Sequence, residues 1–250
     1  MDAFRATFRN EIIKLYKKKK AIAAVIISLL VIVAGQLLIS GVRYGLGIRG
    51  AGSADFPILI LSAVINTILP LFTALVAIDS FSGEYAQNSM RVTLTRPVSR
   101  IKLFSAKLAA IAAFILAMLL LLLVFSLLAG FIFNDHSATA ASVSRTVIAY
   151  LISLPPLMGL AAGIVLLANA LKNGISVFFL AVLLFIALKM LALFFPHYTA
   201  LFLTSQLDWY NLFLIDQWPL ARILRQILLM TGWGAMLFIV GFYLFDKKEF

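Results

Sequence analysis

The sequence contains no cysteine and little charge, and both absences narrow the class of protein. Without cysteine the chain has no disulfide framework and no thiolate metal site. Charged residues make up 12% of the 250 residues, whereas hydrophobic residues make up 63%. Soluble domains carry roughly 25% charged residues, and a chain of this length cannot hide so much apolar surface from water. The composition therefore predicts a membrane protein.

Sequence motifs of energy-using and catalytic proteins are also missing. No G-x-x-x-x-G-K-[ST] loop is present, so the chain has no such cradle for the phosphates of ATP. The two histidines, His136 and His197, lie near predicted loops, and no H-E-x-x-H or paired-carboxylate motif lies within a predicted span. We therefore expect no catalytic residue, no metal site and no cofactor bound by this chain. The lack of a chain of buried carboxylates argues against a carrier driven by protons or sodium.

Six apolar segments have about the 20 residues that a membrane-spanning helix needs. The predicted spans cover about residues 21–42, 56–79, 107–134, 146–171, 173–195 and 226–245. The predicted fold class is an all-α membrane protein with six transmembrane helices, which form a single transmembrane domain over residues 1–250. Proline breaks the hydrogen-bonding ladder of a helix, so Pro70, and Pro155 with Pro156, predict interruptions inside spans two and four.

Residues 1–20 precede the first span and form a basic segment. Its apolar residues recur at helical spacing, at Phe4, Phe8, Ile12 and Leu15. This pattern predicts an interfacial helix that lies on the membrane; a plain basic tail is the alternative. The four lysines at its end are expected to bind anionic membrane lipids, at about 1 kcal/mol per base; they are Lys17, Lys18, Lys19 and Lys20.

Basic residues are distributed unequally between the two sides of the predicted membrane. Most of the 21 Lys and Arg residues precede span one, lie between spans two and three, or follow span six. Because cationic loops stay in the cytoplasm, both termini and the loop at 80–106 are predicted to be cytoplasmic. We expect a multi-pass protein of the plasma membrane, in a bacterium. The bases flank apolar spans and do not form a separate domain, so no nucleic-acid partner is expected.

Two connections outside the spans have structure-forming patterns. In the loop at 80–106, Phe81, Tyr85 and Val92 fall near one face of a helix predicted from about residue 81 to 95, which Pro97 ends. Such a helix is suited to docking into a cleft of a soluble partner; a solvated loop is the alternative. The connection at 196–225 contains two apolar segments too short to cross, with interleaved aromatic residues, and predicts two short re-entrant or interfacial helices on the outer face.

Few polar residues lie within the predicted spans. Lys189 is the clear charged one, and burial of a charge in a span costs about 2.5–3.5 kcal/mol. Its ammonium group either extends to the headgroups or lines a substrate path. Asn66 and Asn169 are placed to form hydrogen bonds between helices or simply to pack. Asn66 and Lys189 are therefore the candidate residues of a translocation path.

The loop at 80–106 carries a recognisable pattern. It reads Gly83-Glu84, Asn88-Ser89-Met90 and Leu94-Thr95-Arg96-Pro97-Val98-Ser99-Arg100, followed by Lys107. It resembles the first cytoplasmic loop of membrane subunits of type-2 ATP-binding-cassette (ABC) exporters, which runs roughly G-E-x-x-x-G-T-L-x-x-L-L-S-x-P-V-S-R and is followed by a lysine. Asn88 stands where that family usually has glycine. The six-span layout and the N-terminal helix match as well.

The resemblance implies partners and a role for the loop. Two such subunits, identical or homologous, would pair, and two ABC ATPase subunits, which hold the ATP and Mg, would bind beneath them. The loop would be the coupling helix that seats in a cleft on the ATPase. The coupling residues implied are Gly83, Glu84, Asn88, Ser89, Arg91, Pro97 and Arg100.

The function expected is that of a non-catalytic permease subunit of an ATP-driven exporter that works by alternating access. The aliphatic and aromatic spans favour a hydrophobic or amphipathic substrate, such as a peptide, a drug or a lipid, which would leave the cytoplasm or the inner leaflet. The alternative is a module that does not transport, such as a membrane sensor or an antimicrobial-peptide immunity subunit, and that works with the same kind of ATPase.

Overall fold

The computed structural model describes residues 2–46, 52–86, 99–135, 138–171 and 173–247, and this part of the chain contains helices and turns but no strand. The α-helices are α1 (Asp2–Tyr16), α2 (Lys19–Leu46), α3 (Asp55–Ile65), α4 (Ile68–Ser80), α5 (Ser82–Ala86), α6 (Arg100–Phe133), α7 (Ala140–Ile152), α8 (Leu154–Ala170), α9 (Gly174–Phe194) and α10 (Leu220–Asp246). Two 3-10 helices, Pro196–Leu201 and Ser205–Phe213, connect α9 to α10.

Five helical segments in the described ranges are long and apolar enough to cross a membrane: α2, α6, α7 with α8, α9 and α10. A sixth crossing results if the bent pair formed by α3 and α4 counts as one span. The predicted all-helical fold is therefore confirmed for the described residues, with five to six candidate spans where six were predicted. Helix α1 lies within the predicted segment 1–20, and its position on a membrane surface stays a prediction.

The two interruptions that proline predicted are present, but each lies just before the proline. The chain bends by 46° between Ile65 and Ile68, and Pro70 lies in the first turn of α4. In span four the break is at Ser153, and the two prolines that follow occupy the first turn of α8. Proline is tolerated in the first turn because its missing N–H has no acceptor within the helix there.

Several helices extend beyond the predicted spans. Helix α6 begins at Arg100, so residues 100–106 of the predicted loop are helical, and α7 and α10 each begin six residues early, at Ala140 and Leu220. Long basic side chains reach water from the end of a helix, so the helix does not have to end with the apolar segment. Two short helices do lie in the connection at 196–225, and both are 3-10 helices; their position at the outer face of a membrane stays a prediction.

Helices α6 and α8 form the centre of the bundle. Helix α8 packs against α4 and α10, and α6 packs against α1, α2 and α3. In contrast, α9 buries Val177 and Ala181, and α10 buries Ile223, Gly241 and Phe245, among the described residues. The remaining apolar faces of α9 and α10 are largely exposed, as expected for helices that face lipid.

Contacts between helix ends place both termini at one end of the bundle. Lys20 pairs with Asp79 at 2.8 Å, where α2 begins and α4 ends. Arg100, at the start of α6, donates a hydrogen bond to the carbonyl oxygen of Asp246, at the end of α10. At the opposite end, Arg43 pairs with Asp135 at 2.8 Å. The fold thus has one end with both termini and the start of the 80–106 loop.

Candidate functional site

Four charged side chains meet where α1, α5 and α6 come together, and we call Glu11, Lys14, Glu84 and Lys107 the ion cluster. Lys107 Nζ lies 2.8 Å from Glu84 Oε2 and 3.1 Å from Glu11 Oε2, and it donates a third bond, of 2.9 Å, to the carbonyl oxygen of Ser80. Lys14 Nζ lies 2.8 Å from Glu11 Oε1 and 2.9 Å from Glu84 Oε1. Each lysine therefore bridges both glutamates.

Three members of the ion cluster are deeply buried, whereas the side chain of Lys14, at its edge, is 37% exposed. The side chain of Lys107 is 0% exposed, that of Glu11 3% and that of Glu84 10%. Burial alone would lower the pKa of Lys14, but hydrogen bonds and charge from Glu11 and Glu84 raise the pKa above its ordinary value. Two positive and two negative groups balance. Removal of any one member would leave a buried charge without compensation, which is strongly destabilising.

Local sequence places two members of the ion cluster, Glu11 and Lys107. Glu11 follows Phe8 by three residues and precedes Leu15 by four, so it lies on the apolar face of α1 that packs on the core. Lys107 lies on α6 beside the buried Leu103 and Phe104. Sequence analysis placed Lys107 only as the lysine that follows the loop motif, at the cytoplasmic start of predicted span three, and did not consider Glu11. The signal that identifies both is a charged residue at a core-facing helical position.

The predicted coupling residues are only partly described. Gly83 and Glu84 lie in α5 and Arg100 at the start of α6. The others, Asn88, Ser89, Arg91 and Pro97, lie outside the described residues, so the predicted helix at 81–95 is described only as far as Ala86. Of the described three, Glu84 belongs to the ion cluster and Arg100 contacts the C-terminal helix.

Further hydrogen bonds attach α5 to the spanning helices. Ser82 Oγ donates to the carbonyl oxygen of Ala168 at 3.2 Å, and the Tyr85 hydroxyl donates to Asn169 Oδ1 at 2.9 Å. Asn169 Nδ2 in turn donates to the carbonyl oxygen of Gly241 at 3.3 Å. Asn169 therefore forms the hydrogen bonds between helices that sequence analysis considered, and α5 is tied to α8 and, through Asn169, to α10.

The predicted lipid-binding lysines have different surroundings. Lys20 and Lys18 lie 2.8 and 3.8 Å from the carboxylate of Asp79, whereas Lys17 and Lys19 are exposed. Asp79 is the last residue of predicted span two, and its place in the sequence indicates no role beyond that boundary. The structure instead makes it the ion-pair partner that joins α4 to the start of α2, and lipid binding by these lysines stays a prediction.

A second polar group, formed by Asn66, Lys189 and Asp208, lies away from the ion cluster, and we call it the polar triad. Lys189 Nζ donates to Asn66 Oδ1 at 2.6 Å and lies 3.3 Å from Asp208 Oδ2. Asn66 Nδ2 donates to Asp208 Oδ1 at 2.7 Å. Lys189 is thus bound by two residues of the same chain: Asn66, at the break of span two, and Asp208, in the second 3-10 helix. Sequence analysis missed Asp208, although a charge in a span signals that a partner exists.

The polar triad adjoins a cavity of about 500 Å³, which lies between α4, α8, α9 and α10, and Asn66 is among its lining residues. Of the two candidate path residues, Asn66 therefore lines the cavity directly. Lys189 lies behind it, bound to Asn66 by a hydrogen bond. Within the described ranges, no group of three or more His, Asp or Glu side chains is arranged to hold a metal ion.

Comparison with known proteins gives one family match. A family model described as "ABC-2 family transporter protein" matches residues 7–189, which is most of the chain. The matched range includes the ion cluster, Asn66 and Lys189, whereas Asp208 and α10 lie beyond it. No curated protein matches the chain significantly.

Proposed function

Because the chain belongs to the ABC-2 family of transporter proteins, we propose that it is the permease subunit of an ATP-driven exporter. It moves a hydrophobic or amphipathic substrate out of the cytoplasm or the inner leaflet by alternating access. Two separate ATPase subunits hydrolyse the ATP, and a second permease, identical or homologous, completes the transporter. Family membership supports the broader statement that the chain is a membrane transport component that works with ABC ATPase subunits.

The observation that carries this proposal is the ion cluster. Glu84 lies in α5, at the start of the loop proposed to dock on the ATPase, and its carboxylate binds Lys107 of α6 and Lys14 of α1. A displacement of this loop must therefore either carry α1 and α6 with it or separate buried charges. Coupling of ATP binding to a change of the spans needs such a differential interaction between two states.

The contacts of α5 with α8 extend the same argument. Tyr85 and Ser82 bond to adjacent residues of α8, Asn169 and Ala168. A movement of α5 thus acts on α6 from one side and on α8 from the other, and these two helices form the centre of the bundle. In the proposal, this arrangement transmits the closure of the ATPases to the central helices.

The proposal is tested with the complete complex. The chain is co-expressed with a candidate cassette ATPase, co-purified and reconstituted in lipid vesicles, and ATPase activity is measured for the wild type, Glu84→Gln and Glu84→Asp. We expect Glu84→Gln to lower the activity of the complex about tenfold or more, because it removes a charge from the ion cluster, and Glu84→Asp to retain more of it.

Asp135→Asn is the matched control, since it removes an exposed carboxylate that is paired with Arg43 at the opposite end of the bundle. It should leave ATPase activity unchanged. A chain that purifies alone and transports without ATP would contradict the proposal, as would full activity of the Glu84→Gln complex.

Transport itself distinguishes an exporter from a sensor or immunity module. The complex is reconstituted so that its ATPase subunits lie on the outside of the vesicles. ATP and a fluorescent amphipathic peptide are added outside, and accumulation of the peptide in the lumen is measured. Accumulation that needs ATP supports export. ATP turnover without any movement of peptide, drug-like or lipid probes would instead favour the module that does not transport.

A further inference from the structure

The cavity between α4, α8, α9 and α10 has the size and lining of a ligand site. Its volume of about 500 Å³ lies within the range of about 300–1,000 Å³ that is usual for small-molecule pockets. Its walls are almost wholly aliphatic and aromatic, and include Ala74, Leu160, Ile164, Phe185 and Leu237. The main body of a matching ligand must therefore be a hydrocarbon.

Three polar residues also line the cavity: Asn66, Thr67 and Thr204. Thr204 is 2% exposed, and its Oγ1 has no hydrogen-bond partner among the described residues. A buried hydroxyl without a partner is destabilising, and an oxygen of a ligand in the cavity would supply one. This unpartnered group is independent of the shape of the cavity and itself points to a ligand.

The polar lining favours an uncharged group on the ligand. The amide of Asn66 is already bonded to Lys189 and Asp208, and these two neighbouring charges compensate each other at 3.3 Å. Thr67 Oγ1 donates to the carbonyl oxygen of Ala63 at 2.6 Å. The available donor is therefore the hydroxyl of Thr204, which suits a carbonyl or hydroxyl oxygen.

The cavity also has a route of entry. Leu71, Leu184 and Ile186 line it and are 42%, 39% and 56% exposed. Because these residues belong to the predicted spans, their exposed surface faces the hydrocarbon region of the membrane. A ligand with an apolar chain can enter sideways from the bilayer without crossing water.

We propose that this cavity binds a single-chain amphiphile, whose alkyl or acyl chain fills the apolar walls and whose uncharged hydroxyl or carbonyl oxygen bonds to Thr204 Oγ1. A membrane lipid and an exported cargo share this chemistry. The interpretation of the cavity as the substrate site of the permease rests on the proposed function. Binding of the amphiphile in the cavity does not require the ATPase.

The first test uses photolabelling of the full chain, purified and reconstituted in nanodiscs without ATP. The probes are a monoacylglycerol with a diazirine in its chain and an alkane of equal length with the same diazirine, and labelled residues are located by mass spectrometry. We expect labelling of cavity walls, at Ala74, Phe185 and Leu237. Labelling confined to the exposed face of α9, at Phe179 and Leu183, shows annular lipid and overturns the proposal.

Two pairs of variants test the chain and the oxygen separately. A Cβ at Gly163 would lie 3.9 Å from Leu203 and Leu237, whereas a Cβ at Gly234 would have no atom of the described residues within 4 Å. Gly163→Phe therefore fills the cavity and should lower wall labelling about tenfold, and the control Gly234→Phe should not. Equal labelling of both variants overturns the proposal.

Thr204→Val keeps the shape of the side chain and removes its hydroxyl group. It should lower the ratio of monoacylglycerol to alkane labelling about fivefold, with alkane labelling unchanged. The control Thr73→Val removes another buried hydroxyl without a hydrogen-bond partner, which does not line the cavity, and should leave the ratio unchanged. A ratio that Thr204→Val does not alter refutes the hydrogen bond and with it the proposed ligand class.

Addition of the ATPase and ATP distinguishes the two sources of the ligand. When irradiation follows the addition of ATP, loss of wall labelling together with transfer of the unreacted monoacylglycerol to the other leaflet supports a cargo, and unchanged wall labelling supports a bound membrane lipid. The two proposals also fail separately. Absence of wall labelling refutes this site and leaves the permease intact, whereas a chain that never associates with an ATPase refutes the permease and leaves the labelling result standing.

Discussion

Lys107 holds its ammonium group in a fully buried position, between two carboxylates and one carbonyl oxygen. Burial removes the ammonium group from water, which is unfavourable, and the ion pairs with Glu11 and Glu84 offset this loss of solvation free energy. Such clusters contribute little net stability compared with apolar residues of the same size. Their value in this chain lies in the connection of three helices through one side chain.

Lys107→Met should destabilise the protein by about 3–5 kcal/mol, because Glu11 and Glu84 would keep only Lys14 as a common partner for two buried charges. The measurement is thermal unfolding of the purified protein in detergent. Lys102→Met is the control, since Lys102 is exposed on the same helix, and its effect should remain within about 0.5 kcal/mol. Equal melting temperatures of the two variants would contradict the ion cluster.

The coupling between two members is measured with a double-mutant cycle. Glu11→Gln and Lys107→Met remove side chains in direct contact, so their effects on the free energy of unfolding should deviate from additivity by about 0.5–3 kcal/mol. Replacement of Glu11 together with the exposed Lys102 should instead be additive. Additivity in both cycles would show that Glu11 and Lys107 do not interact.

At the scale of elements, close approach between backbones positions α6 against the chain that leads into α3. The Cβ of an alanine at Gly130 would lie 2.6 Å from the carbonyl oxygen of Ser53, a contact that side-chain rotation cannot relieve. The neighbouring amide of Ser53 donates to the carbonyl oxygen of Asp135 at 3.1 Å. This region therefore fixes the end of α6 opposite to the ion cluster.

Gly130→Ala should destabilise the protein by about 1–3 kcal/mol through overpacking. Gly41→Ala is the matched control in α2, because a Cβ at Gly41 would have no neighbour within 4 Å in the described part of the chain, and alanine favours a helix by roughly 0.5–1 kcal/mol over glycine. Thermal unfolding should thus shift in opposite directions for the two variants. A stabilising Gly130→Ala would show that α6 and Ser53 are farther apart.

For the whole molecule, the predicted orientation in the membrane depends on which loops and termini lie at the same end of the helix bundle. The ion pairs of Asp79 and the contact of Arg100 with Asp246 join the two termini and the start of the 80–106 loop, whereas Arg43 and Asp135 mark the other end. The basic residues concentrate at the first of these ends. That distribution predicts that it faces the cytoplasm.

The absence of cysteine makes this prediction directly testable. Single cysteines at Lys17 and Lys247 should react with a membrane-impermeant maleimide only after the cells are opened. A cysteine at Asp135, which is 60% exposed, should react in intact cells. The reverse pattern would place the termini outside and would exclude docking of a cytoplasmic ATPase on the 80–106 loop.

The sequence by itself determined the membrane class, the all-helical fold, most of the spanning segments and the family, because hydropathy and a contiguous motif are properties of neighbouring residues. Tertiary structure alone decided which charges meet. Sequence analysis gave Lys107 no role beyond the start of span three and gave Asp208 none, because their partners lie on other helices and helix packing determines those distances. The same packing opens the cavity beside Thr204, a residue that no local pattern distinguishes.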